Sequence, residues 1–276
     1  MIPAPFEYVR AGSVDEALAA LTEHGDDAKL LAGGMSLLPL MKLRLATPTV
    51  LVDVGRIREL SYVRDGGDHV AIGALTRHRD LETSELLGEA CGVLRGVAAE
   101  VGDNQVRHRG TLGGSVAHGD PASDLPAVLL ALDATLVTQG GGGPRELQAA
   151  SFFEGFLETA MLPDELLTEI RVPKAGPDGW SYQKFNRRAQ DWAIVGALAA
   201  HAQDTTRVAL VNMGSTPLRA AAVESALAGG ATAADAAAHA AEGTEAPADL
   251  NASSDYREHL ARVLVRRALE HATAAA

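Results

Sequence analysis

Cysteine is almost absent from this chain of 276 residues, in which Cys91 is the only one. An internal disulfide is therefore excluded, and so is an iron–sulfur cluster ligated by cysteines of this chain alone. Cys91 stands in an apolar helical pattern, which favours a buried structural thiol over a nucleophile. The nine histidines are scattered and show no HExxH motif or paired metal-ligand spacing. We predict no metal site.

An excess of positive charge and a long apolar run are also missing. The formal net charge of −12 argues against nucleic acid or an anionic membrane as the main partner. No uninterrupted apolar run reaches the roughly 18 residues that a membrane helix needs. Residues 1–5 lack the basic region and apolar core of a secretory signal. These features predict a globular cytoplasmic protein without an integral membrane segment.

Glycine, by contrast, is abundant, with 28 residues. Two diglycine pairs stand in long, similar contexts, which we call the first glycine segment (Ala32–Ser36) and the second glycine segment (Thr111–Ser115). A composition this rich gives roughly three such pairs by chance, and the other pairs are predicted to be turns. Context rather than the pair itself therefore distinguishes the two segments.

Both segments are suited to binding an anion. Glycine allows sharp turns and a close approach of backbone N–H groups to a bulky ligand, while Ser or Thr adds a donor. Phosphate is the natural occupant of such amides, and two segments would clasp a diphosphate from both sides. The sequence has no GxGxxG motif after the first strand, which excludes the Rossmann fingerprint. It has no GxxxxGK[ST] motif anywhere, which excludes the P-loop.

The order of predicted elements indicates an α+β protein. Residues 1–55 alternate strand and helix, with a capping box at Ser13–Glu16. Residues 56–175 form a second unit, in which a helix covers 86–101 and the second glycine segment is a loop. Strands are predicted at 134–138 and 165–172, with a glycine-rich turn at 140–143 between them.

A third unit follows the predicted linker 173–179, which is rich in proline and glycine. It contains an antiparallel sheet and then a run of helices, an order typical of α+β folds. The predicted strands are 181–185, 193–201 and 208–213, and the predicted helices are 217–229, 231–242 and 254–273. We therefore divide the chain into domains 1–175 and 176–276.

At this point the two glycine segments identify a resemblance. Together with Leu37–Pro39 and Asp120–Asp124, they resemble the medium, FAD-binding subunit of the molybdenum hydroxylases, the family of xanthine dehydrogenase and carbon monoxide dehydrogenase. The resemblance runs over essentially the whole chain. It implies a two-subdomain FAD-binding fold of the vanillyl-alcohol-oxidase (PCMH) type, with subdomains 1–55 and 56–175, followed by a smaller C-terminal α+β domain.

The resemblance also implies non-covalent FAD contacts. They are Ala32, Gly33, Gly34, Met35, Ser36, Thr111, Leu112, Gly113, Gly114, Ser115, Asp124, Leu167, Lys184, Asp191 and Trp192. Both glycine segments would contact the diphosphate, and Leu167 the adenine through its backbone. Met35 departs from the His or Gln often found in such relatives, which removes a polar side-chain contact. No catalytic side chain is implied.

The remaining implied contacts have specific roles and, in two cases, open alternatives. Asp124 would accept hydrogen bonds from the ribose or adenine part, or else merely cap its helix. Lys184 would lie near the polar edge of the flavin. Trp192, preceded by Asp191, would cover one face of the isoalloxazine, or else pack in the core.

Partners follow from the same resemblance. A large subunit with the molybdenum cofactor would oxidise the substrate, and a small subunit with two [2Fe–2S] clusters would carry electrons to FAD. The acceptor would be NAD, a quinone, oxygen or another molecule, and the complex a dimer of heterotrimers. The substrate cannot be read from this chain, because its pocket would lie in another subunit.

Two alternatives remain open. One is a self-contained flavin oxidase, in which His108 or His118 beside the second glycine segment would attach the flavin covalently. The other is an assembly module that has lost its flavin, against which the intact glycine segments argue.

Overall fold

The computed structural model describes residues 2–174, 179–202 and 205–275. Part of the predicted linker, residues 175–178, lies outside the described residues. The domain boundary after residue 175 falls there and stays a prediction. In the described part of the chain, no helix is both long enough and apolar enough to cross a lipid bilayer.

The first unit is a small α/β layer around a three-stranded parallel sheet of order β1–β3–β2. Its elements are β1 (Glu7–Arg10), α1 (Val14–His24), β2 (Ala28–Leu31), α2 (Leu37–Leu43) and β3 (Val50–Asp53). Ser13 caps α1 by accepting a hydrogen bond from the N–H of Glu16 (3.2 Å). The Glu16 carboxylate accepts from the N–H of Gly12 (2.7 Å) rather than from that of Ser13, so the predicted capping box closes one residue earlier.

The second unit contains a five-stranded antiparallel sheet of order β4–β5–β10–β6–β7 and a set of short helices. Its strands are β4 (Val63–Asp65), β5 (His69–Gly73), β6 (Thr135–Gly140), β7 (Gly143–Gln148), β8 (Phe153–Gly155), β9 (Glu158–Thr159) and β10 (Leu166–Pro173). Its helices are α3 (His78–Thr83), α4 (Glu85–Ala90), α5 (Gly92–Ala99), α6 (Asn104–Arg109), α7 (Leu112–His118) and α8 (Asp124–Ala131). The strands β8 and β9 form a separate hairpin.

The third unit is an antiparallel sheet of order β11–β12–β13–β14 covered by helices. Its strands are β11 (Gly179–Phe185), β12 (Val195–Ala202), β13 (Thr205–Val211) and β14 (Leu218–Arg219). Its helices are α9 (Ala221–Ala228), α10 (Ala233–Ala237) and α11 (Ser254–Ala275). The predicted sheet followed by helices, and with it the α+β fold class, is confirmed.

Both faces of the third sheet are buried, which joins it to the second unit. Side chains alternate between faces along a strand. Leu198 packs into the core of the second unit, while its neighbours Ala197 and Ala199 pack into the core under α11. In the same way, Val211 packs into the core of the second unit and Leu210 into the core under α11. The C-terminal sheet is therefore a shared wall between two cores.

The local structure differs from the prediction at Cys91, in the second glycine segment and at β7. The helix predicted over 86–101 is broken at Cys91, whose φ of −158° and ψ of 63° separate α4 from α5. The second glycine segment is not a loop, because residues 112–115 form the first turn of α7. The strand β7 was not predicted, since it contains Pro144 and alternates little in hydrophobicity; such a proline is tolerated in an edge strand.

The contact between α5 and β11 leads to a stability prediction. A Cβ on Gly96 would lie 2.2 Å from a ring carbon of Trp180, so the helix reaches the strand only because this side chain is missing. Alanine normally favours a helix over glycine by about 1 kcal/mol. Gly96→Ala should instead lower the free energy of unfolding by about 1–3 kcal/mol through overpacking, as measured by urea denaturation.

The control lies in the same helix. A Cβ on Gly92 would be an ordinary 3.5 Å from Trp180 Nε1, so Gly92→Ala should not destabilise the protein. Equal stability of the Gly96→Ala variant and the wild type would contradict the proposed close packing.

Candidate functional site

A cleft of about 990 Å³ runs between the first unit and the other two. Its walls include both glycine segments, the start of α8, the β10 strand and the loop between β11 and β12. All the predicted cofactor contacts except Leu112 line it. Residues from three parts of the sequence thus meet in a single cleft.

The first glycine segment needs its two glycines for different reasons. A Cβ on Gly33 would lie 2.3 Å from the carbonyl oxygen of Arg109 and 2.9 Å from the Cα of Gly110. Gly34 has a φ of +75°, in the left-handed region that glycine adopts most readily. Gly33 therefore allows the segment to touch the chain before the second glycine segment, and Gly34 allows it to turn into α2.

Backbone N–H groups of the first glycine segment are open to a ligand. Among the described residues, no hydrogen-bond acceptor is found for the N–H groups of residues 33–36, whereas the carbonyls of Gly34 and Ser36 accept from Leu38 and Leu40 (both 3.2 Å). Unpaired amides at the start of a helix attract anions. The segment therefore has the unbonded amides that the predicted amide cradle requires, and its contact with a diphosphate stays a prediction.

The second glycine segment differs, because its amides are used within the protein. Leu112 donates to the carbonyl of Thr76 (3.0 Å) and Gly113 to that of Ala74 (2.8 Å). Gly114 donates to Thr111 Oγ1 (3.1 Å), and Ser115 donates to the Thr111 carbonyl (3.1 Å). The N–H groups of residues 112–115 therefore add no free amides to the clasp of a diphosphate that we expect from both sides.

The glycines of this segment serve packing instead. A Cβ on Gly113 would lie 2.5 Å from that of Ala74, and one on Gly114 would lie 2.6 Å from Thr111 Oγ1. Leu112 is buried in the core rather than in the cleft wall. The Leu112 contact thus gains no support from its position and stays a prediction.

Asp124 and Lys184 form a buried ion pair that joins α8 of the second unit to β11 of the third. Lys184 Nζ lies 2.8 Å from Asp124 Oδ2 and donates to the carbonyl of Glu100 (3.0 Å). Tyr182 donates its hydroxyl hydrogen to Asp124 Oδ1 (2.5 Å). Burial raises the pKa of the Asp124 carboxyl, while the Lys184 ammonium opposes that shift. Asp124 does not cap α8 with its side chain, because its two oxygens are engaged by β11.

The β11–β12 loop forms the rim of the cleft. Trp192 is 54% exposed and lines the cleft, so the alternative of core packing for this side chain is wrong. Asp191 accepts hydrogen bonds from Arg188 Nε (3.1 and 3.0 Å), which lowers the pKa of the Asp191 carboxyl. Leu167 lines the cleft from β10, beside a bulge in that strand.

The structure adds residues that the sequence did not single out. His78 and Lys29 line the cleft, the first from the start of α3 and the second from β2.

Of the two histidines considered for covalent attachment, His118 also lines the cleft, and burial lowers the pKa of its imidazole. His108 is bonded through Nδ1 to the Asn104 carbonyl (2.6 Å) on α6. Only His118 of the two candidate attachment residues is therefore in the cleft wall.

Three arginines stand behind the first glycine segment. Arg56, Arg77 and Arg109 line a polar cleft of about 290 Å³ together with Ala32 and Asp53. Arg77 donates to the carbonyl of Arg109, the same oxygen against which Gly33 packs. In a chain of net charge −12, three arginines with a single aspartate thus lie beside Ala32, at the start of the first glycine segment.

Family models match nearly the whole chain. The FAD binding domain in molybdopterin dehydrogenase matches residues 4–175, and the CO dehydrogenase flavoprotein C-terminal domain matches residues 180–272. The chain belongs to this family of flavoprotein subunits. The resemblance inferred from the glycine segments is thereby confirmed, as are the PCMH-type fold and the expectation of FAD as cofactor of an oxidoreductase subunit.

Individual relatives span the full length. The chain is 44% identical to the carbon monoxide dehydrogenase medium chain of Hydrogenophaga pseudoflava, with 99% of each chain covered. It is 38% identical to the 6-hydroxypseudooxynicotine dehydrogenase complex subunit alpha of Paenarthrobacter nicotinovorans, covering 99% of this chain and 96% of the relative. It resembles a structure of the Hydrogenophaga carbon monoxide dehydrogenase with a TM-score of 0.95 and 43% identity, covering 100% and 99% of the two chains.

The buried ion pair allows a direct test. Removing one partner of such a pair costs about 3–5 kcal/mol, because the other charge is left buried and unpaired. Lys184→Met should therefore lower the free energy of unfolding by about that much. Asp124→Asn combined with Lys184→Met should recover a large part of the loss, as measured by a double-mutant cycle in urea. Additive losses in the cycle would contradict a coupled pair.

Proposed function

We propose that this chain is the FAD-binding electron-transfer subunit of a molybdenum-containing hydroxylase or dehydrogenase. It takes electrons from [2Fe–2S] clusters of a small partner subunit and passes them to NAD, a quinone, oxygen or another acceptor. The observation that carries the proposal is the single cleft in which open backbone amides and the exposed Trp192 line the same space. Its volume of about 990 Å³ lies at the upper end of ligand pockets, about 300–1,000 Å³.

The residues of the cleft fit FAD. The N–H groups of residues 33–36 would hold the diphosphate, and the arginines behind them would favour its charge. The second glycine segment would bring its glycine surfaces and Ser115 against the cofactor from the opposite side. Trp192 would cover one face of the isoalloxazine and exclude water from it.

Lys184 would act differently from a free cation. Its ammonium is already balanced by Asp124, so this pair would present a nearly neutral, hydrogen-bonded surface to the cofactor. FAD, when bound, supplies the two-electron redox chemistry itself. The chain's own residues bind the cofactor, orient it and shield it, and no catalytic side chain is assigned.

Partners are part of the same proposal. Relatives of this chain are named as medium chains or subunits of dehydrogenases for carbon monoxide, caffeine and glyceraldehyde. We infer a large molybdenum-cofactor subunit, a small two-cluster subunit and a dimer of heterotrimers. Because one type of flavin subunit accompanies chemically different substrates, the substrate is chosen by the large subunit. The cytoplasmic location and the domain division at 175/176 stay predictions.

The complex itself provides the first test. Protein purified with its natural partners should show flavin and iron–sulfur absorption, with molybdenum by metal analysis. Acid denaturation should release the FAD, because the site holds it without a covalent bond. A colourless chain without partners that cannot be reconstituted would contradict the proposal. Flavin that stays attached after denaturation would favour the self-contained oxidase and His118.

The amide cradle provides the second test. Gly34→Ala places a side chain on a residue with a φ of +75° and within 2.9 Å of Leu38 Cδ1, which should displace the amides. We expect loss of FAD from the purified complex, measured by the ratio of flavin to protein absorbance.

Gly143→Ala is the matched control. Gly143 has a φ of +95° in the β6–β7 turn, with no atom within 4 Å of its Cβ position. Both substitutions cost about 1–2 kcal/mol of backbone strain, but only the one at Gly34 should release FAD. Equal flavin content in the two variants would sink the assignment of the cradle.

A further inference from the structure

His78 is the one buried histidine of the described residues that lines the cleft and has a ring nitrogen without a hydrogen-bond partner. It is 4% exposed and begins α3, where its N–H donates to the carbonyl of Gly110 (3.1 Å). A Cβ on Gly110 would lie 2.7 Å from His78 Cδ2 and 2.9 Å from Nε2. Glycine at position 110 therefore makes room for this imidazole directly beside the second glycine segment.

The two ring nitrogens have different surroundings. Nδ1 is sealed from solvent, and in the described part of the chain it has no donor or acceptor within reach. Nε2 also has no hydrogen-bond partner among the described residues, but unlike Nδ1 it is not sealed from solvent, and the residue lines the cleft. Nε2 is thus the nitrogen that a molecule in the cleft can reach.

The ring is neutral at physiological pH. Burial lowers the pKa of His78 to about 4, and the nearby charges of Arg77 and Arg107 act in the same direction. A neutral imidazole carries one proton and one lone pair. Since a buried N–H without an acceptor is rarer in proteins than a buried unpaired acceptor, the proton belongs on Nε2 and the lone pair on Nδ1.

We propose that His78 is an additional cofactor-positioning residue, which donates a hydrogen bond from Nε2–H to an acceptor atom of FAD. This inference rests on the proposed function of the cleft as an FAD site. A buried polar atom without a partner, here Nδ1, lowers the stability of the fold, and a leucine of similar size would avoid that loss. The imidazole is therefore a poor choice for packing alone, whereas its Nε2–H offers a ligand in the cleft a donor that leucine lacks.

Opposite effects on stability and binding test this role. In the complex purified with its partners and then freed of flavin, His78→Leu should raise the unfolding temperature by a few degrees, because the unpaired nitrogen is gone. The same variant should weaken FAD binding by about tenfold, the loss of one hydrogen bond, as measured by fluorescence titration with FAD. His78→Gln, which keeps an N–H donor, should recover part of the affinity.

The control is His259→Leu on α11, an exposed histidine that does not line the cleft, and it should leave FAD affinity unchanged. If His78→Leu binds FAD as tightly as the wild type, the inference is wrong. It is also wrong if affinity and unfolding temperature fall together and glutamine restores neither, since His78 would then be structural. If the wild-type complex itself binds no FAD, the proposed function fails before His78 is tested.

Discussion

The contact of Gly33 with the backbone of Arg109 and Gly110 is the constraint on which the rest of the site depends. It joins the first unit to the second without any intervening side chain. Residues 33–36 line the cleft with unbonded amides, and Ala32 also borders the smaller cleft of the three arginines. A side chain at position 33 would separate the two units and remove the cleft wall. The shape of the cleft and the position of the unbonded amides therefore depend on the same contact.

The two glycine segments look alike in sequence but have different roles. In the first, the amides are available and the glycines permit an unusual turn and a close contact. In the second, the amides of Leu112 and Gly113 hold α7 against the carbonyls of Thr76 and Ala74, and those of Gly114 and Ser115 donate to Thr111. A cofactor bound as proposed would therefore meet donors on one wall and a tightly packed surface with few side chains on the other.

Sequence reasoning reached the fold class and the family, because glycine, capping residues and long motifs act locally. Of the residues it named as FAD contacts, all but Leu112 line the cleft. It missed features that depend on tertiary contacts. Helix α7 has two glycines, which are poor helix formers, in its first turn. It forms because Thr111 caps it and because the Gly113 N–H donates to the carbonyl of Ala74, the residue after β5. The pairing of Lys184 with Asp124, the amide bonding of the second segment and the orphaned nitrogen of His78 likewise appear only when distant segments meet.

The buried pair of Asp124 and Lys184 also bears on how such chains can be recombined. One partner lies in the region matched by the FAD-binding model and the other in the region matched by the C-terminal model. A chimera that joins the N-terminal region of one relative to the C-terminal region of another takes the two partners of this ion pair from different proteins. A chimera of two relatives must therefore keep Asp124 in its N-terminal part together with Tyr182 and Lys184 in its C-terminal part.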